Sequence, residues 1–207
     1  MTPPPAIIFD FGNVIAHFDY NRAGTRLGRS LGLSGQAFVD QARAAGFADV
    51  LRDYESGGLT SANFYRRVAD LMGLSIDYEE FRKGWVDIFT LNQSIVPVVA
   101  ELNRRNYRLI LGSNTNELHA SYFREQFSDV FRHFDALVLS YEVGKIKPDT
   151  DFYLACAKAA GRDPSETIFI DDLPENVDGA RRAGLMAVIY TDTPALIRDL
   201  RSMDVDV

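Results

Sequence analysis

Apolar residues fall into two kinds of run along this chain. Ala6-Ile7-Ile8-Phe9 is continuously apolar, ends on a lone carboxylate, Asp10, and is followed by Gly12-Asn13. Such a run predicts a strand buried on both faces that delivers an acid into a tight turn. Beyond it the spacing changes. Segments 20–32, 35–46, 59–73 and 78–90 carry apolar residues at helical intervals, as Phe64, Val68, Leu71 and Met72 do, and no good strand intervenes. Gly32, Ser34, Gly57-Gly58 and Gly73 divide these segments, with Thr60 and Ser61 as helix-capping residue types. A small helical unit over 17–89, inserted after the first strand, is expected.

From about residue 95 helices and strands alternate. Helices are predicted over 96–105, 118–127, 151–160, 175–183 and 195–201, and strands over 107–112, 136–139, 167–171 and 187–190. The strands are short and wholly apolar at their centres (Leu-Ile-Leu, Leu-Val-Leu, Ile-Phe-Ile, Val-Ile). That pattern belongs to a parallel sheet covered by helices on both faces. The fold class is therefore α/β, a three-layer sandwich built from 1–16 and 90–207. There is no internal repeat or low-complexity segment.

Ligands in open α/β sheets bind outside the carboxyl ends of the strands, so the residues there are the candidate chemistry. The first strand ends in Asp10. The second ends in Gly112-Ser113-Asn114-Thr115-Asn116, a hydroxyl and an amide where free backbone N–H groups favour an anion. Ser113 also suits a plain helix cap. The strand over 167–171 ends in Asp171-Asp172, with Pro174-Glu175-Asn176 following. Two carboxylates at a buried strand end need a cation or hydrogen bonds. Asp172 and Asn176 share a face if the helix starts there, and a hard, oxygen-seeking cation such as Mg2+ suits them. Between these lies Gly144-Lys145-Ile146-Lys147-Pro148. The proline restricts Lys147 to an extended conformation, which favours a fixed position facing the carboxylates, whereas Lys145 reads as a solvated charge.

Composition narrows the partners. The 207 residues carry a formal net charge of −7 and no basic cluster, which argues against nucleic acid or an anionic membrane surface. Cys156 is the only cysteine, so no internal disulfide forms, and it falls in a helical pattern as a packed thiol. Met1-Thr2-Pro3-Pro4-Pro5 lacks the features of a secretion signal, and no stretch approaches the roughly 20 apolar residues that span a bilayer. A cytoplasmic location is expected.

In this order the motifs resemble the haloacid dehalogenase-like hydrolase superfamily, which is mostly phosphatases: Asp10 in the first motif, Ser113 in the second, Lys147 in the third and Asp171-Asp172 in the fourth. Phe-Asp-Phe-Gly-Asn-Val-Ile, Ser-Asn-Thr-Asn-Glu-Leu-His and Asp-Asp-Leu-Pro-Glu-Asn-Val are similar to the branch containing bacterial α-D-glucose-1-phosphate phosphatase. The resemblance implies a Rossmann-like core with a helical cap over 17–89. It implies that Asp10 attacks phosphorus to give an aspartyl-phosphate, and that Ser113, the Asn114 backbone N–H and Lys147 hold the phosphoryl group. Mg2+ would be held by Asp10, the Gly12 carbonyl and Asp172, with Asp171 acting through a water. The expected substrate is a small phosphorylated metabolite, such as a sugar phosphate.

The chain departs from the family at Gly12, where most of these phosphatases carry a second Asp that acts as general acid and base. Such groups contribute about 10²–10⁴-fold. A good leaving group, such as an anomeric oxygen, would reduce the deficit, or a donor would come from the stretch Asn13 to Asp19, where His17 and Asp19 are candidates. Tyr54, Glu55 and Trp85 of the inserted unit are candidates to face a substrate, although Phe81, Trp85 and Phe89 recur at helical spacing and read as its interior. Two other functions remain: a metal-independent 2-haloacid dehalogenase, whose halide needs no proton, and a non-catalytic binder of phosphorylated ligands or proteins. The paired Asp171-Asp172 argues against the first, and the retained Asp10, Ser113, Lys147 and Asp172 against the second.

Overall fold

The computed structural model describes residues 5–207. The reading of Met1–Pro4 therefore lies outside the described residues. All five expected core strands form: β1 (Ala6–Phe9), β4 (Leu109–Ser113), β5 (Ala136–Leu139), β6 (Thr167–Asp171) and β7 (Met186–Ile189). They make one parallel sheet in the order β5-β4-β1-β6-β7, with β1 at its centre. The apolar runs are explained by burial on both faces. Ile7, Phe9, Leu109, Leu111, Ile168 and Ile170 enter one core cluster, and the alternate residues Ala6, Ile8, Ile110 and Phe169 enter another. The first cluster is closed by α6 (Val96–Arg104), α7 (Glu117–Gln126), α8 (Ser128–Phe131) and α12 (Thr193–Ser202), the second by α10 (Thr150–Ala160) and α11 (Pro174–Arg182). A one-turn helix, α9 (Ser140–Val143), follows β5.

The segment between β1 and α6 holds α1 (Tyr20–Leu27), α2 (Gly35–Ala44), α3 (Phe47–Glu55), α4 (Ser61–Met72) and α5 (Tyr78–Val86) around their own apolar cluster. Tyr54 and Phe64 stack within it at 4.2 Å, and Trp85 is buried there. Three expectations need correction. The four helical segments omit α3, although Phe47, Val50, Leu51 and Tyr54 keep helical spacing. Thr60 caps α4, but Ser61 lies inside the helix. Strands do intervene: β2 (Ala16–Phe18) and β3 (Phe89–Leu91) pair antiparallel at the two ends of the helical segment. Phe89 therefore leaves the helix predicted over 78–90 and packs against Phe11 and Phe123 beside the sheet. Three residues are too few for a strand period to show.

The helical unit is fastened to the sheet through α7. Leu118 of α7 is buried in the helical unit's cluster, and its N–H donates to Tyr54 Oη at 3.1 Å. Tyr54 Oη lies 2.6 Å from Ser61 Oγ, which itself donates to Glu117. His119 stacks on Trp85 at 4.7 Å and donates Nε2–H to the Trp85 carbonyl. Among the described residues, no helix is long and apolar enough to cross a membrane.

Candidate active site

β1 is pinned between β4 and β6, and the Asp10 N–H donates to the Ile170 carbonyl at 2.8 Å. This holds the Asp10 carboxylate at the carboxyl edge of the sheet, 7 % exposed. The chain then turns sharply: the Ile15 and Ala16 N–H groups both donate to the Phe11 carbonyl, and Asn13 takes a φ of +56°. Asparagine tolerates that left-handed backbone better than most residues. The turn aims the Asn13 amide at Asp172 Oδ2, 2.9 Å away.

Lys147 sits at the centre of the polar cluster. Its Nζ lies 2.7 Å from Asp10 Oδ1 and 2.7 Å from Asp171 Oδ2, all three side chains being buried. Burial alone would lower the Lys147 pKa, but the charges of Asp10 and Asp171 outweigh it and hold the ammonium protonated. For Asp10 burial dominates and raises the pKa, Lys147 pulling it down and Asp171 adding to the rise. Asp172 is raised by burial as well, against the hydrogen bond from Asn13. The cluster is therefore short of positive charge.

The structure brings Asp10, Lys147, Asp171 and Asp172 together, with Ser113 at the end of the neighbouring strand. Ser113 is not a helix cap, because Asn116 caps α7 by accepting from the His119 N–H. Asn176 also differs from expectation. Its Nδ2 donates to both oxygens of Asp171, at 3.0 and 3.1 Å, and not to Asp172. With Leu173 N–H and Lys147 also donating, both Asp171 oxygens are engaged. Lys145 pairs with Asp151 on the surface, as its reading as a solvated charge implies. The Cys156 thiol is buried and pushed up to about 12 by that burial, which suits packing rather than attack.

Two clamps were not legible in the motif. The Asn114 side chain accepts from Lys147 N–H at 2.8 Å and donates to the Lys147 carbonyl at 3.1 Å. Ser140 Oγ does the same for Thr115, accepting from its N–H and donating to its carbonyl. Together they dock the loop that carries Lys147 onto the end of β4. The only sequence signal was the placement of Asn114 and Ser140 directly after apolar strands.

The structure places both suggested replacement donors, His17 and Asp19, on the surface. Asp19 is exposed and caps α1 through the Asn21 N–H. His17 is exposed on β2 and lines a groove with Asn13 and Asp172, on the carboxylate side of the site.

A five-stranded parallel sheet with a buried carboxylate, a lysine and paired carboxylates at its carboxyl edge has the construction of a hydrolase that works at strand ends. The chain belongs to the haloacid dehalogenase-like hydrolase family, whose model matches residues 4–184, and it is a hydrolase of that family's phosphatase type. D-ribitol-5-phosphate phosphatase from Bacteroides thetaiotaomicron is 29% identical over 185 residues, covering 86% of this chain and 87% of that protein. A phosphatase from Mycobacterium tuberculosis is 26% identical, covering 96% of this chain and 94% of that protein. A solved haloacid dehalogenase-family enzyme from B. thetaiotaomicron, in complex with magnesium and inorganic phosphate, superposes with a TM-score of 0.79 at 24% identity, over 95% of this chain and 100% of that one. At that identity it shows the shared fold.

Mg2+ is the cofactor of this class, and the residues present fit it. Asp10, Asp171 and Asp172 each offer an oxygen within 4.8 Å of the others. The set is all oxygen, as a hard cation prefers, and it lacks the positive charge that such an ion supplies.

Proposed function

We propose that this chain is a Mg2+-dependent phosphatase of small phosphorylated metabolites, sugar phosphates such as glucose 1-phosphate among them, acting through an aspartyl-phosphate on Asp10. The observation that supports this most strongly is Asp10 itself, held at the sheet edge with one oxygen on Lys147 and the Asp171-Asp172 pair alongside. Mg2+ bound by Asp10, Asp172 and the Gly12 carbonyl would neutralise charge on the phosphoryl oxygens. Asp171, its oxygens already engaged, orients Lys147 and would contribute to holding the ion through a water.

Asp10 attacks phosphorus in line, and the bond to the leaving oxygen breaks. Ser113 Oγ, the Asn114 backbone N–H and the Lys147 ammonium hold the phosphoryl oxygens. Asn114 acts twice, because its side chain also fixes the Lys147 backbone. Catalysis of this kind is positioning and preorganised charge. The sugar-phosphate reading draws on the resemblance to the glucose-1-phosphate phosphatase branch, on the polyol-phosphate activity named for the 29% relative, and on a cavity of about 110 Å³ between Gly12 and the cap.

A panel of phosphorylated metabolites, assayed with Mg2+ and with chelator, tests the proposal. Phosphate release from sugar phosphates is expected with Mg2+ and is lost on chelation. Asp10→Asn should lower turnover by about 10⁴-fold or more while the variant still unfolds cooperatively on heating. Halide release from 2-haloacids without metal, or undiminished turnover by Asp10→Asn, would overturn it.

A further inference from the structure

We propose that Glu55, from the helical cap, is the general acid and base of this reaction, taking the place of the carboxylate that the turn lacks at position 12. The inference rests on the phosphatase reading above. A side chain at position 12 would press on a ring: a Cβ on Gly12 would lie 3.0 Å from Cε1 of Phe18, which would have to shift by a few tenths of an ångström. Beyond that ring is the cavity of about 110 Å³, with Gly12, Ser113 and Asn114 on the sheet side and Tyr20 and Glu55 on the cap side. Among the described residues, Glu55 is the only carboxylate on its wall. Among the described residues no hydrogen bond or ion pair engages the Glu55 carboxyl, in contrast to Asp10, Asp171 and Asp172.

The other titratable groups around the cavity are unsuited to the task. His119 accepts from the Asn116 amide at Nδ1 and donates to the Trp85 carbonyl at Nε2, and burial holds it neutral, with its pKa pushed down to about 3. Burial pushes the Tyr20 phenol far up, and the Glu55 charge adds to that. Lys147 is committed to Asp10 and Asp171. Glu55 itself is pushed up to about 7 by burial, with Lys147 pulling the other way, so it takes up and gives away a proton near neutrality.

Its position is fixed from both sides in the chain. Tyr54, one residue before, receives the Leu118 N–H from the sheet domain. Gly57, two residues after, has a φ of +78° and approaches the Tyr141 carbonyl so closely that a Cβ would lie 2.4 Å from its oxygen. As the Asp10 oxygen bonds to phosphorus, the electron pair of the breaking P–O bond passes to the leaving oxygen, which takes the Glu55 proton. In the second half, the Glu55 carboxylate takes a proton from water as that water bonds to phosphorus and the phosphorus–Asp10 bond breaks. Glu55 ends reprotonated.

The test is first-turnover release of the leaving group by the full chain with Mg2+. The substrates are glucose 6-phosphate, whose alkoxide needs protonation, and p-nitrophenyl phosphate, whose phenolate leaves unaided. Glu55→Gln should slow glucose release by about 10²-fold or more and leave first-turnover nitrophenolate release within a few-fold of wild type. The fall in the glucose rate above about pH 7 should disappear with it. Glu55→Asp should keep that fall at a reduced rate, which separates proton transfer from loss of packing. Equal slowing of both substrates, or of neither, would overturn the role of Glu55. A wild type that releases phosphate from neither substrate would overturn the phosphatase reading and this one together.

Discussion

The two flanks of Asp10 are built in different ways. On one side, Lys147, Asp171, Asp172, Asn13 and Asn176 form a continuous polar network in which both oxygens of Asp171 and one oxygen each of Asp10 and Asp172 have a donor. Every member comes from the sheet domain and most stand within a few residues of a strand end, so the network is complete without the cap. On the other side the wall includes Phe18, Tyr20, Phe89 and one unpaired carboxyl, Glu55, at the end of α3, which Tyr54 and Gly57 dock. The charge-stabilising half of the site is thus preorganised by the core. The other half, which we propose meets the leaving group, depends on how a second unit sits against it.

The largest expected effect tests the first flank. Lys147→Ala removes the cation shared by two buried carboxylates. Breaking a buried pair from one side costs about 3–5 kcal/mol, because the remaining charge has no partner. Urea unfolding at pH 8 should show a loss of that size. The loss should shrink toward pH 5, where protonation discharges the carboxylates, and Mg2+ should restore part of it by supplying a replacement charge. A loss below 1 kcal/mol at pH 8 would mean that the flank does not depend on Lys147 for its charge balance.

These two flanks also differ in how far the sequence discloses them. Asp10, Ser113 and Asp171-Asp172 each follow a run of apolar residues, and burial on both faces of a parallel sheet produces such runs, so position along the chain already implied position at the edge. Lys147 was marked by the proline after it. Glu55 is a sequence candidate to face a substrate, but nothing in its spacing sets it apart from Tyr54 and Trp85, which the fold buries in the helical unit. It is one glutamate near the end of an amphipathic helix, and only the docking of α3 against α7 and Tyr141 separates it from a surface residue. The spacing places Asn176 on one face with Asp172 if the helix starts there, whereas in the fold its amide donates to Asp171. Strand ends can be read locally; a wall made by two units meeting cannot.

The joint between the units supplies the next test. His119 is buried and neutral between Asn116 and Trp85, its pKa lowered to about 3 from the 6.5 of a free imidazole. A depressed pKa contributes stability that is fully present above 6.5 and is lost as pH falls through the window from 6.5 toward 3. The slope is about 1.4 kcal/mol per pH unit. His119→Gln should therefore be destabilising at pH 7.5, with the gap to wild type narrowing by about 2–3 kcal/mol between pH 6.5 and 4.5. Taking the difference between the two proteins cancels the opposite trend from Asp10 and Glu55. A gap that stays constant with pH would show that the joint tolerates a charged His119.

The smallest effect concerns Glu55 and bears most directly on the contrast between the flanks. Its pKa is raised from 4.5 to about 7, so the folded state holds the proton more tightly than the unfolded chain does. Its contribution to stability is present below 4.5 and is lost as pH rises through about 7. Glu55→Gln keeps the shape and removes the charge, so at pH 8 it should stabilise the fold by about 1 kcal/mol, solvent at the partly exposed carboxyl reducing the full value. Below pH 4.5 the two proteins should unfold alike. An ionisable group kept where its charge weakens the fold, in a chain where replacing it by an amide strengthens the fold and slows the chemistry, is what a proton-transfer role requires. Melting temperatures of wild type and variant at pH 5 and 8 measure it. A destabilised variant at pH 8 would mean that Glu55 has a structural partner after all, and the two flanks would then be built alike.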